Sequence, residues 1–495
     1  MTEFSRLYFM SRSQKKSLPS PSNRLNERLT ELERRQAELE LELVRERAEN
    51  QRLRVNNVRL QQVLERLREE NEALKREGKR QATPFARRKR VEVRKKPGRK
   101  AGVGRFAHQA KPLRVNRTRK ARLHGCPECG GRLKEIHRHE QYVIDLPVPR
   151  LVTTRYITES GYCGACHMRV RSHHPEQTSQ ATGAAGVLVG PRAKALAADL
   201  KHRLGVSYEK VSETLNDAFG LKVGRSAWCQ ADQTLAERAR PVYQGLIETI
   251  RRSSVVHADE TGWRIDTLAG WLWVFTNREA TVYTIADNRS SDVVVEMLGE
   301  KFPGILASDG FRAYDERRLN EWLKQKCLAH LLTDLKEMQE TKRGGALRFA
   351  QDGTALLKTA LALKKDKPSL DPADYARRAQ ELEESLDGLI ARKRYLQDRD
   401  NRRFARRLHR HREHLLRFLY VDGLEPTHNL AERQLRPAVI TRKTNGCNRS
   451  KGGAETHSIL ASVLATCRQH SIPILDYMVS LQRYSDTPLS LIDSP

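Results

Sequence analysis

The sequence predicts a multidomain α/β protein, in which a coiled coil, a zinc ribbon and a helical region precede an α/β core divided by a helical insertion. Three observations predict it. Leucine recurs every seven residues between positions 25 and 74, two CxxC pairs follow, and beyond residue 254 the apolar pattern changes from helical periodicity to strands. At 495 residues the chain exceeds what one compact core holds, so several units are expected.

Residues 1–23 read as a disordered N-terminus. From 24 to 77 there is no Gly or Pro, and Leu25, Leu32, Leu39, Leu53, Leu60, Leu67 and Leu74 occupy d positions, with only Glu46 interrupting. Leu29, Leu43 and Leu64 share the a positions with Gln36, Asn50, Asn57 and Asn71. A strict a/d seam predicts a leucine-zipper coiled coil, and Asn at a favours a register-fixed parallel dimer. The expected assembly is therefore a homo-oligomer, at least a dimer.

Charge is concentrated next. Lys and Arg number 91 against 61 Asp and Glu, a net charge of +30. Residues 79–122 hold 18 of the basic residues against Glu92 alone, a net +17. Within the span 78–122, Arg87, Arg88, Lys89, Arg90, Lys95, Lys96, Arg99 and Lys100, set among Gly and Pro, predict an arm that contacts nucleic-acid phosphates.

Cys126-Pro-Glu-Cys129 and Cys163-Gly-Ala-Cys166 are two knuckles in a segment spanning 123–175. The tight CxxC turn lets two thiolates meet one tetrahedral Zn2+, and a zinc ribbon suits the long interval, with strands expected at 141–146 and 152–157. The N-terminus lacks the apolar run of a signal peptide, and no stretch is long and apolar enough to span a bilayer. The expectation is a cytoplasmic protein with no membrane partner, in which the eight cysteines do not form a disulfide framework.

Residues 190–245 read as helices, and the spacing of Val211, Leu215 and Gly220 before a second Ser-led helix resembles a helix-turn-helix as closely as it does a plain connector. Strands at 254–259, 270–276 and 281–286, a helix near 290–299 and a strand at 304–309 predict a meander with a crossover onto a mixed sheet, within a core part at 250–327. A basic helical insertion covers 328–424, the core resumes at 425–480, and 481–495 is a tail.

Asp259 and Asp309 each end an apolar run, where side chains project into the crevice of an open sheet. Glu432 opens a helix beyond the insertion. Taken singly, an Asp at a strand end also reads as a turn former, Glu260 as a solvated acid, and Glu432 as the surface partner of Arg436. Three acids at one crevice can hold two Mg2+ (or Mn2+) ions, hard cations that leave coordination free for a substrate phosphate.

These segments resemble the bacterial DDE transposases of the insertion sequence 66 type. The resemblance rests on His257-Ala-Asp-Glu-Thr-Gly-Trp263, Ser308-Asp-Gly-Phe-Arg-Ala-Tyr314, Cys327-Leu-Ala-His330, and Thr427 to Pro437 running into Thr441-Arg442-Lys443. It implies an RNase H-like core with Asp259, Asp309 and Glu432 as catalytic acids. It also implies an enzyme that binds double-stranded DNA at its element's ends, cleaves there and joins the 3′-OH to target DNA, close to the bacterial nucleoid. Arg442 and Lys443 then join the DNA-binding set, and accessory proteins of the same element are candidate partners. A DNA-binding regulator with a silent core, or a metal-dependent nuclease without strand transfer, are the alternatives. Where the family usually reads Thr-Asn-Asn, this chain has His428 in the middle. His330 reads either as a group assisting at the site or as a packed or capping residue.

Overall fold

The computed structural model describes residues 21–81, 114–483 and 491. The chain divides into two units, Met1–Ala110 and Lys111–Pro495. The basic-arm residues from Arg87 to Lys100 lie outside the described residues, as do residues 1–20 and most of the expected tail.

In the first unit, α1 runs Pro21–Gln81. Proline opens it, where a missing N–H costs nothing. Leu29, Leu32, Leu39, Leu43, Leu53, Leu60 and Leu64 are each more than half exposed along it. The seam is thus helical, with its described leucine side chains exposed.

The second unit begins with little regular structure. A hairpin pairs β1 (Ser160–Tyr162) with β2 (Arg169–Arg171) around the second knuckle. The strands expected at 141–146 and 152–157 do not form. Val143, Ile144, Leu146, Val152 and Ile157 are more than three-quarters exposed there, and β-propensity yields a ladder only where a neighbour takes up the backbone hydrogen bonds.

Three helices follow, α2 (Pro191–Ala198), α3 (Tyr208–Phe219) and α4 (Arg225–Arg251). Ser207 caps α3 by accepting from the Lys210 N–H, and Gly220, at φ 74°, ends it in the left-handed conformation that glycine tolerates. Trp228 near the start of α4 packs with Val211 and Leu215, while Leu235, Leu246 and Ile250 farther along it enter the core of the sheet. One helix therefore serves both the helical region and the core.

The sheet is mixed. Strands β3 (Val255–Ile265), β4 (Leu268–Thr276) and β5 (Thr281–Ala286) form an antiparallel meander. Helix α5 (Ser291–Leu298) crosses over to β6 (Ile305–Ser308), which lies parallel to β3, and β7 (Leu323–Lys326) adds in parallel outside it. The order is β5-β4-β3-β6-β7, with β3 central. The entry to β6 is tight: a Cβ on Gly304 would stand 2.2 Å from the Ser253 carbonyl oxygen, so only glycine fits.

Helices α6 (Leu328–Thr341), α7 (Gly344–Asp366), α8 (Pro372–Ala391) and α9 (Arg399–Arg410) come next. They enclose a core of their own, including Leu335, Phe349, Leu357, Leu386, Phe404 and Leu419, which the sheet joins through Ile305. The chain then returns through α10 (Asn429–Asn445), α11 (Lys451–Gln469) and α12 (Ile474–Ser480). Ala431 and Leu435 of α10 pack on Trp263, Leu272 and Val274 of the sheet. Ile459, Leu460 and Val463 of α11 cluster with Trp273 and Phe275. Among the described residues no helix is long and apolar enough to cross a membrane.

Buried histidines make this packing sensitive to acid. Burial pushes His411 and His414 down to about 4 and His457 well below its ordinary value. The unfolded chain binds these protons near pH 6.5, before the folded one does, so stability is fully present above that pH and is lost as pH falls from about 6.5 toward 4. The thermal midpoint at pH 5 is expected below that at pH 7.5; equal midpoints would contradict neutral buried rings.

Candidate active site

The sheet brings the first two acids level. The parallel ladder pairs Val255 with Ile305 and His257 with Ala307, so Asp259 and Asp309 each sit four residues beyond a paired position. The sequence suggested that both end their strands. Asp309 does follow the last residue of β6, but β3 continues to Ile265 because residues 260–265 keep their antiparallel partners on β4. Asp259 lies just past the end of the parallel ladder, where the crevice opens.

The Asp309 loop is held from several sides. Its Oδ1 accepts the Phe311 N–H at 2.8 Å, and its carbonyl accepts from Lys326 Nζ at 3.0 Å. Lys326 is buried, pairs with Asp315 at 2.7 Å, and joins the ends of β6 and β7. Arg407 of α9 covers Gly310, where a Cβ would meet its guanidinium at 3.2 Å.

Glu432 stands in the first turn of α10, whose N-cap is His428. His428 is buried between the acids, its Nε2 3.9 Å from Asp259 Oδ2 and 3.8 Å from Glu432 Oε1. His330, on the first turn of α6, brings its Nε2 to 4.0 Å from the same Glu432 oxygen. Asp309 is near enough for its charge to act on both Asp259 and His330. Three acids and two histidines therefore converge at the mouth of the sheet.

Their electrostatics are strained in one direction. Burial pushes the Asp259 carboxyl up to about 6; His428 partly offsets this, and the charges of Glu260 and Asp309 add to it. A carboxylate crowded by two others and raised in this way suits a divalent ion, whose binding would relieve the repulsion. The oxygen donor set fits Mg2+ or Mn2+. Glu260 points elsewhere: Arg289 Nε donates to its Oε1 at 2.9 Å and Tyr314 O–H to its Oε2 at 2.5 Å. It anchors the strand beside Asp259 and is not the solvated acid its sequence context suggested.

A groove of about 1200 Å³ runs past His257, Thr427 and Asn429, and Arg252, Arg278, Arg433 and Arg436 line it. These arginines come from three places, the end of α4, the β4–β5 turn and α10, so no charge run in the sequence marks them. Arg442, expected on the DNA-binding side, donates to the Gly262 carbonyl at 2.5 Å and Thr261 Oγ1 at 3.1 Å, fastening α10 to β3. Lys443 follows it on α10.

The two CxxC knuckles share one backbone pattern. Cys126 N–H donates to the Gly131 carbonyl and Gly130 N–H to the Cys126 carbonyl, and Cys163 N–H to Met168 and His167 N–H to Cys163 repeat it. Gly130 and His167 occupy the left-handed position, at φ 73° and 55°. Hydrogen bonds from the backbone at Cys129 and Cys166 lower the Cys126 and Cys163 thiols respectively, as a thiolate ligand requires. The described residues nevertheless contain one set of three or more ligand atoms all within 4.8 Å, and it lies elsewhere: Cys327, His330 and His428. The sequence carried a signal for part of it, since Cys327 and His330 are one turn apart at i,i+3.

The Transposase IS66 family model matches residues 186–456, which contain all three acids. The chain belongs to the IS66 transposase family. The matched stretch begins beyond the cysteine knuckles and covers every segment on which the resemblance rests. The uncharacterized protein y4qI of Sinorhizobium fredii (strain NBRC 101917 / NGR234) is 26% identical over 293 residues, 52% of this chain and 53% of that relative. The chain thus spans about half the length of the curated relative it matches. Among solved structures, the HTLV-2 integrase catalytic core domain in complex with magnesium is similar at 15% identity, covering 25% of this chain and 80% of that one, with a TM-score of 0.13, too slight to bear on the fold.

Proposed function

We propose that this IS66 family member is a DDE transposase with an RNase H-like core, in which Asp259, Asp309 and Glu432 are the catalytic acids. One observation carries the reading: Asp259 and Glu432, far apart in the chain, meet at one buried histidine, and Asp309 stands level with Asp259 at the end of a parallel strand pair. Water attacks a phosphodiester at the element's end and frees a 3′-OH, which then attacks a phosphodiester of the target DNA. The three carboxylates would hold two Mg2+ or Mn2+ ions, which activate an attacking oxygen and stabilise a leaving one. His428 separates Asp259 from Glu432, and the Lys326 and Phe311 contacts fix Asp309. Arg252, Arg278, Arg433 and Arg436 supply cationic lining for a DNA backbone entering the groove.

Affinity comes from other parts of the chain. The arm from Arg87 to Lys100 contributes phosphate contacts, the α1 leucine seam dimerises as a coiled coil, and Cys126, Cys129, Cys163 and Cys166 close on one Zn2+.

The test incubates the full chain with a labelled duplex carrying an element end and a supercoiled target, in Mg2+ or Mn2+. Strand-specific nicks and joined products, both lost on chelation, are expected. Cleavage without joining would reduce the protein to a nuclease, and binding without cleavage would favour a regulator with a silent core.

A further inference from the structure

Beside the carboxylates lies a second donor set of different chemistry. Cys327 occupies the N-cap position of α6 and His428 that of α10, neither side chain being spent on a capping hydrogen bond. The Leu328 N–H donates to the Pro426 carbonyl at 3.0 Å, so the backbone itself holds the two helix starts together. One turn into α6, His330 faces the same point, its ring 5.0 Å from that of His428. One ligand atom from each of Cys327, His330 and His428 lies within 4.8 Å of the others.

Two further facts point to a ligand. Cys327 and His428 are 3% and 1% exposed, yet His428 Nδ1 has no hydrogen-bond partner. Cys327 interacts with both imidazoles, and a cation shared by the three would satisfy the buried ring and thiol together. His428 Nε2 faces Asp259 and Glu432, the outward carboxylate contact that metal-bound histidines commonly make. His330, with 46% of its side chain exposed, leaves a way in.

We propose that Cys327, His330 and His428 form a binding site for a zinc-class divalent cation, distinct from both the cysteine knuckles and the carboxylate site. One thiolate and two imidazoles are the donors of a borderline cation, whereas Mg2+ takes oxygen. Glu432 Oε1 stands 3.8 Å from His428 Nε2 and 4.0 Å from His330 Nε2, so both imidazoles of the site flank a carboxylate of the neighbouring acid cluster. On the transposase reading, a cation that fixes these two rings restrains Glu432 and with it the magnesium-dependent reaction.

Metal uptake decides the site whether or not the chain joins DNA. The full chain is stripped with chelator under reducing conditions, reloaded with zinc and freed of excess. The parent is expected to hold one equivalent more than Cys327→Ser, His428→Asn or His330→Gln, and combining any of these with Cys163→Ser is expected to remove a further equivalent. His330→Gln changes a half-exposed side chain, so it remains decisive if a buried substitution fails to fold. Equal zinc in the parent and folded His330→Gln overturns the proposal. In a cleavage-competent preparation, zinc should inhibit the parent at roughly tenfold lower concentration than His330→Gln, a typical loss for a disturbed metal site. Equal inhibition overturns the regulatory consequence, while failure of all cleavage would count against the transposase reading and leave the uptake result intact.

Discussion

Replacing Asp259 or Asp309 by Asn is expected to reduce end cleavage and joining by roughly a thousandfold, the equivalent of several kcal/mol of metal-supplied charge stabilisation. Asn keeps the size and one oxygen but removes the negative charge that a hard cation requires. Duplex binding should persist, because the basic arm and the groove arginines, to which the proposal assigns the phosphate contacts, are untouched. Folding should also persist: Asp259 is crowded by like charges and gains little from being ionised without a cation. Single-turnover cleavage together with a filter-binding isotherm on each variant checks this. Near-parental cleavage by Asp259→Asn would show that the acid is not catalytic, and joint loss of binding and cleavage would mean misfolding.

Arg289→Met is expected to lower global stability by about 3 kcal/mol, the lower end of the range for breaking a buried ion pair, since a third of the arginine is exposed. Its guanidinium lies 3.6 Å from the centre of the Phe311 ring and 4.4 Å from that of Trp271 while it pairs with Glu260. The Glu260 side chain is 1% exposed, and burial already pushes its carboxyl up against the opposing pull of Tyr314 and Arg289. Without Arg289 a buried carboxylate keeps only the Tyr314 hydroxyl. Adding Glu260→Gln to the variant should recover most of the loss, because the stranded charge causes it. Urea denaturation followed by tryptophan fluorescence measures both; a double variant no more stable than Arg289→Met would show that ring packing, and not charge, is what Arg289 supplies.

Local chemistry made several features legible before any fold was known. The seven-residue leucine spacing marks a helix with one apolar seam, and α1 is that helix. The meander and crossover follow from apolar runs of strand length broken by turns, and all five strands of the sheet except short β7 were readable in this way. The knuckles are recognisable because a CxxC turn is a local structure. The same local signals overreached at 141–157, where alternating Val, Ile and Tyr resemble strands but find no edge to pair with.

What the sequence by itself determined is the inventory: which residues can be acids at element ends, which can hold metal, where the charge lies, and which family the motifs resemble. Only the tertiary structure decided which of these meet. Asp259 and Asp309 are level because β6 docks parallel to β3 after a crossover, and Glu432 joins them because α10 packs on β3 and β4 once the helical insertion has closed its own core. His428 looked like one departure from a motif, and in the fold it touches two acids and faces Cys327 and His330. The physical reason is one of range. Helical and strand periodicity act over a few residues, whereas a crevice forms where non-local packing brings distant segments into contact, and no spacing along the chain encodes that distance.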